Sequence, residues 1–279
     1  MTPTHAGDLR SGRGAPVLRV EAIGKSFGYN TVIRGVTFDL YPKEILGIIG
    51  PSGGGKTTLL KCLDLLETLD SGTIEFFGQW KVASVDGNQS ICETGREELV
   101  EELNEEHVHR IRQRIGLVFQ SLNLWEERSV LGNLVLAPVV VRGTTRAAAE
   151  ERAFELCERF GLEDKLKQTV WQLSGGQRQR VAIIRALMME PEVLFLDEVT
   201  SALDPVLTFD VLETIRELQQ RGLTMILVTH HLEFASSICD RLMFLAGGKT
   251  LQLDSPENLR RKPATDEIKR YLEVLRAAQ

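Results

Sequence analysis

The run Gly50-Pro51-Ser52-Gly53-Gly54-Gly55-Lys56-Thr57 satisfies G-x-x-x-x-G-K-[ST], between a stretch that reads as a strand and one that reads as a helix. Glycines in such a loop let successive backbone N–H groups turn inward around phosphate oxygens. The helix that follows adds the positive end of its dipole. Lys56 is placed to reach the β and γ phosphates of a nucleotide, and the Thr57 hydroxyl to ligate Mg²⁺. Gly50, Ser52, Gly53, Gly55, Lys56, Thr57 and Thr58 are therefore candidate residues for binding a nucleoside triphosphate.

Two carboxylates stand further along. Val193-Leu194-Phe195-Leu196 reads as a buried strand, and Asp197-Glu198 closes it at the end where open α/β sheets bind ligands. Asp197 would complete a Mg²⁺ shell through water, and Glu198 would polarise an attacking water as general base or orienting group. Alone, the pair also reads as surface acids capping a strand; the phosphate loop is what favours chemistry. Gln120 and His230 each follow an apolar strand, over residues 116–119 and 226–229, and so emerge at the same sheet edge. An amide near Mg²⁺ and the lytic water, and an imidazole near the γ-phosphate, suit a developing negative charge. His230 is the candidate of the histidine pair, and His231 opens the next helix.

A second anion site is written in Leu173-Ser174-Gly175-Gly176-Gln177, with Ser174 at the N-cap of a strong helix. One chain with the two sites on separate lobes cannot comfortably aim both at one triphosphate. Two copies arranged head to tail can, each covering the other's nucleotide, so that binding shuts the pair and hydrolysis opens it.

The elements that would position these groups alternate. Strands are predicted at 17–22, 36–40, 44–49, 73–77, 115–119, 193–196, 224–228, 241–245 and 250–253. Helices are predicted at 56–66, 146–160, 177–189, 205–220, 256–261 and 266–277, and 129–167 reads as mostly helical with an interruption at Pro138. Alternation of this kind implies a mainly parallel sheet flanked by helices. The helical stretch, about 121–190 in all, interrupts that core as a subdomain. Residues 80–109 read as a solvated acidic insertion, with Leu99, Val100 and Leu103 at the spacing of an amphipathic surface helix, and the first 16 residues as a loose, disordered tail.

Composition narrows the classes. A formal charge of -6 and a pI near 5.5 argue against a general nucleic-acid binder. The most apolar run, 131–141, is too short for a membrane span and is broken by Gly132, Asn133 and Pro138. The first residues hold no secretory hydrophobic core. Cys62, Cys92, Cys157 and Cys239 form no CxxC pair and read as reduced structural thiols of a cytoplasmic protein.

Over residues 17–275 these motifs together resemble the ATP-binding subunit of ABC-type transporters, and most nearly the group that energises bacterial uptake of polar and basic amino acids. The resemblance implies an α/β P-loop NTPase core of ABC-ATPase type with a small antiparallel β subdomain and an inserted helical subdomain. It implies ATP and Mg²⁺, with Glu198, His230 and Gln120 catalytic and Thr57, Gln120 and Asp197 around the metal. Phe27 matches the aromatic that stacks on adenine, with a core role for Phe27 and a substitution by Tyr29 as the alternatives. Ser174, Gly175, Gly176 and Gln177 match the signature that meets the partner subunit's nucleotide, and Asp204 the aspartate that communicates between the two sites. Implied partners are a second identical or paralogous ATPase, integral membrane permease subunits and, indirectly, a solute-binding protein, at the cytoplasmic face of the membrane. No nucleic acid is expected. An exporter or cell-envelope ATPase, and a soluble mechanical ATPase of DNA repair or translation, are the competing readings.

Departures from the family pattern fall in three places. Val199 replaces the proline expected after the catalytic glutamate and leaves φ free there. Ser121, the run Trp125-Glu126-Glu127-Arg128 and Gly132 differ on the surface expected to meet the permease, and the 80–109 insertion is longer than usual.

Overall fold

The computed structural model describes residues 14–95, 100–200, 203 and 205–277. The chain begins with β1 (Leu18–Phe27), β2 (Asn30–Leu40), β3 (Ile45–Ile49) and α1 (Lys56–Leu63). It continues with β4 (Ser71–Phe76), β5 (Trp80–Val85), β6 (Asn88–Glu93), β7 (Glu101–Glu102) and α2 (Glu105–Arg112). Then come β8 (Ile115–Val118), α3 (Val130–Arg142), α4 (Arg146–Arg159), α5 (Gly175–Leu187), β9 (Val193–Asp197) and α6 (Pro205–Gln220). The last elements are β10 (Thr224–Val228), α7 (Leu232–Ile238), β11 (Arg241–Ala246), β12 (Lys249–Asp254), α8 (Pro256–Arg261) and α9 (Asp266–Ala277). Two compact units result, Met1–Arg112 with Thr224–Gln279, and Gln113–Leu223.

The first unit carries β3 at its centre. All five residues of Ile45–Ile49 are buried, as a strand covered on both faces requires. β3 lies parallel to β10 on one side and to β11 on the other, and β12 closes the edge antiparallel to β11. A separate antiparallel sheet runs β2-β1-β4-β5-β6-β7. β1 and β2 extend further than the sequence suggests and meet at a tight turn through Gly28, so that Phe27 ends a strand.

The acidic insertion is structured differently from expectation. Instead of a helix around Val100 and Leu103, residues 80–93 form the hairpin β5–β6, paired from Trp80↔Glu93 to Val85↔Asn88. Its turn is Asp86-Gly87, with φ values of 50° and 84° that match a two-residue type I′ connection. Val82 and Ile91 turn inward and are buried, which fixes the register. Helix α2 starts only at Glu105, where the Asn104 carboxamide accepts the His107 N–H at 3.1 Å. Leu99 lies outside the described residues.

In the second unit β8 and β9 pair in parallel, from Ile115↔Val193 to Val118↔Leu196. The helices α3, α4, α5 and α6 belong to the same unit. The expected interruption at Pro138 does not occur: α3 continues to Arg142. Proline removes only the donor that would bond back to residue 134, and the far end of the helix is capped by Gly143, left-handed at φ 68°, and Thr144, whose N–H groups both donate to the Pro138 carbonyl. Burial pushes the thiols of Cys62 and Cys157 up to about 12, which leaves both protonated and inert at neutral pH.

Candidate functional site

In the first unit the loop after β3 wraps into α1. Gly50 has φ 144°, and a Cβ there would lie 2.1 Å from the Leu245 carbonyl oxygen in β11. A Cβ on Gly55, at φ 98°, would meet the Val32 carbonyl at 2.9 Å. Only glycine fits either place. Ser52, Gly53 and Thr57 face outward, whereas Lys56 is buried and its ammonium donates to the Gly50 and Pro51 carbonyls, each at 3.0 Å. The loop is thus a tight backbone cradle with a cation at its floor and a hydroxyl at its mouth, and it fits a triphosphate with Mg²⁺. Thr58 is half-buried on the first turn of α1.

His230 is two residues beyond β10, whose Val228 pairs with Ile48, so it leaves the sheet at the same end as Gly50. His231 is the N-cap of α7 and donates its N–H to the Thr229 hydroxyl at 3.1 Å, as its place in the sequence suggests. Burial, aided by the neighbouring His230, holds the His231 imidazole below its ordinary pKa. Phe27 is 47 % exposed at the end of β1, with the Lys25 ammonium 5.1 Å from its ring centre. It is no core aromatic. Tyr29 is fully exposed in the adjoining turn.

The second unit gathers the other candidates. Gln120 lies two residues after β8, and Asp197-Glu198 lie at the same end of β9. Asp197 is 2 % exposed, Val199 1 %, and Glu198 between them takes φ 48°. Buried neighbours hold that left-handed conformation, which a non-glycine residue rarely adopts. Ser174 is the N-cap of α5 in a full capping box: its hydroxyl accepts the Gln177 N–H at 3.3 Å and the Gln177 carboxamide accepts the Ser174 N–H at 3.0 Å. A Cβ on Gly175 would meet Leu203 at 3.0 Å, and one on Gly176 would meet Leu207 at 3.2 Å. Asp204 lies outside the described residues.

Several supporting residues were not singled out by the sequence. Arg185 of α5 donates to the carbonyls of Leu122 and Asn123, at 2.8 and 2.6 Å, pinning the loop after Gln120 where both residues have positive φ. Its guanidinium stacks on Trp125, 5.6 Å from the ring centre, and Arg128 lies 5.8 Å from the same centre. Asn133, fully buried in α3, bonds both the N–H and the carbonyl of Trp125. No sequence signal gave Asn133 or Arg185 these contacts, because their value lies in backbone groups brought near by the fold. A cavity of about 270 Å³ is lined by Gln120, Leu122, Leu124, Gly175, Arg178 and Leu203, so the Gln120 loop and the start of α5 share one wall.

A glycine-lined loop between a buried parallel strand and a helix, with a buried lysine on its floor, defines a P-loop ATPase fold. The chain belongs to the ABC transporter family, which it matches over residues 33–201, and it is an ATP-binding ATPase subunit of that family. It is 40 % identical over 256 residues to the probable amino-acid ABC transporter ATP-binding protein of Haemophilus influenzae, covering 92 % of this chain and 94 % of that protein. It is also 40 % identical over 256 residues to the L-cystine transport system ATP-binding protein TcyN of Escherichia coli, covering 92 % and 97 %. Among solved structures, a dimeric ATP-binding cassette in a post-hydrolysis state, bound to ADP and Pi, is similar with a TM-score of 0.70. The identity there is 27 %, over 86 % of this chain and 98 % of that one.

Proposed function

We propose that this chain hydrolyses ATP to energise import of a polar, in particular a basic, amino acid through a separate permease, working at the cytoplasmic face of the membrane. The observation that carries the cargo reading is the near full-length likeness to ATPases named for amino-acid and cystine transport. Among the described residues no helix is long and apolar enough to cross a membrane.

In this reading Phe27 stacks on the adenine, the Gly50–Thr58 loop cradles the phosphates and Lys56 neutralises the β and γ oxygens. Thr57, Gln120 and Asp197 would hold Mg²⁺, which when bound screens the phosphate charge. Glu198 accepts a proton from, or orients, the attacking water, and His230 stabilises the charge that develops on the γ-phosphate. Ser174, Gly175, Gly176 and Gln177 would cover the nucleotide of a second copy, and Asp204 would carry information between the two sites.

The test is affinity capture from native membranes of tagged Glu198→Gln protein held in ATP and Mg²⁺, with every co-purifying protein identified. Recovery of a permease pair and a soluble amino-acid-binding protein is the expected result. Recovery of exporter subunits, of nucleic-acid machinery, or of the bait alone would end the importer reading.

A further inference from the structure

The C-terminal helix α9 reaches the phosphate loop. Its Tyr271 hydroxyl donates to the Gly50 carbonyl at 3.1 Å, and its ring meets Phe244 edge-on, with centres 5.1 Å apart. Phe244 lies in β11 directly opposite Ile49, the residue before Gly50. The helix is held firmly enough to make this contact meaningful. Ile268 and Leu272 are buried, the Thr265 hydroxyl accepts the Ile268 N–H, and the Gln252 carboxamide bonds Lys262 and Ala264 in the link before α9.

The Gly50 carbonyl is also one of the two that hold the Lys56 ammonium, the other being that of Pro51. An ammonium has three N–H donors. If two of them turn to the β and γ phosphates, one is left for two carbonyls, so at least one carbonyl loses its lysine. The Pro51 carbonyl already has a second donor, the Gly54 N–H at 3.1 Å. For the buried Gly50 carbonyl the Tyr271 hydroxyl fills that place.

We propose that Tyr271 is a positioning residue for nucleotide binding, its hydroxyl satisfying the Gly50 carbonyl as Lys56 turns to the phosphates. The inference rests on the reading of Lys56 as a phosphate ligand. It makes α9, far along the chain from the loop, part of the phosphate site.

The test compares the full-length wild-type chain with Tyr271→Phe, which keeps the ring against Phe244 and removes only the hydroxyl. A non-hydrolysable β,γ-imido analogue of ATP and adenosine are titrated separately by calorimetry in the presence of Mg²⁺, and thermal unfolding is followed without nucleotide. Tyr271→Phe is expected to weaken the analogue about fivefold to tenfold, the change expected when a buried carbonyl loses its second donor. Adenosine, which has no phosphate to draw Lys56 away, should bind both proteins equally, and their unfolding temperatures should differ by no more than about 4 °C. Equal affinity of the two proteins for the analogue overturns the proposal, and so does a matching loss for the analogue and adenosine. Failure of the wild-type chain to bind the analogue overturns the nucleotide-site reading and this proposal with it. Normal binding of the analogue by wild type and variant alike leaves that reading intact and removes Tyr271 alone.

Discussion

Glu198 combines the carboxylate proposed as the base with an unfavourable backbone. Its φ of 48° costs a non-glycine residue about 1–2 kcal/mol, and the buried Asp197 and Val199 on either side keep it there. Such strain persists where the surroundings over-determine a conformation, as at a site that needs one carboxylate held in place. In the proposed reading Glu198 is the base, and replacing it by Gln keeps the shape and removes that group. Phosphate release by Glu198→Gln should fall about 10²–10⁴-fold while ATP still binds; rapid steady release by this variant would rule out the role. The place of the pair at the end of β9 was legible because a carboxylate pair after an apolar strand is a sequence pattern. The φ of Glu198 was not, since Val199 in place of proline gave no hint of how the backbone turns. In the same way Ser174 was legible as a helix cap, whereas the reciprocal bond from Gln177 shows that both side chains already have partners within one chain.

At the scale of elements, α1 ends against a buried acid. Asp64 caps its C-terminus, where the helix carbonyls disfavour negative charge, and burial pushes its carboxyl up to about 7. The Arg112 guanidinium of α2 opposes that shift and donates to the Asp64 and Leu65 carbonyls at 2.8 and 2.6 Å. Because the folded pKa lies above the unfolded one, the stability linked to the protonated acid is fully present below about 4 and is lost as pH rises through about 7. Asp64→Asn, neutral at every pH, should therefore stabilise the protein by about 1–3 kcal/mol at pH 8, with the gain shrinking toward zero near pH 4. Urea unfolding across that range is the measurement, and a gain independent of pH would contradict the account. Strands with continuous apolar runs, such as β3, β9 and β10, were legible because their period and length leave little choice. The β5–β6 hairpin was missed because acidic residues nearby masked Asp86-Gly87, the strongest local signal in the segment. Helix α3 was expected to break at Pro138, but one lost donor does not end a helix whose Leu134, Val135 and Pro138 are buried and whose last turn is capped by Gly143 and Thr144.

For the molecule as a working whole, the open matter is where the start of α5 acts. Its first turn is capped by its own Ser174 and Gln177, so presenting these groups to a phosphate requires an exchange of hydrogen bonds that nucleotide binding must drive. A head-to-tail pair supplies that drive, because each nucleotide then links two chains and its binding energy falls on closure. Ser174 is exposed at the start of the helix, so a long side chain there projects outward, into the space where a second chain's nucleotide would lie. Arginine at 174 removes the cap, at about 1 kcal/mol, and puts a long cation at the positive end of a helix dipole. Ser174→Arg in the Glu198→Gln background should bind a fluorescent ATP analogue with affinity within about threefold of its parent, since losing a cap outside the phosphate loop disturbs that loop little. By light scattering with saturating ATP and Mg²⁺ it should stay monomeric while Glu198→Gln alone runs as a dimer. Ser174→Ala, which loses the cap but adds no bulk or charge, separates the two causes and should still dimerise. If Ser174→Arg paired as readily as its parent, the start of α5 would not face a second chain's nucleotide, and closure would have to be built from another surface.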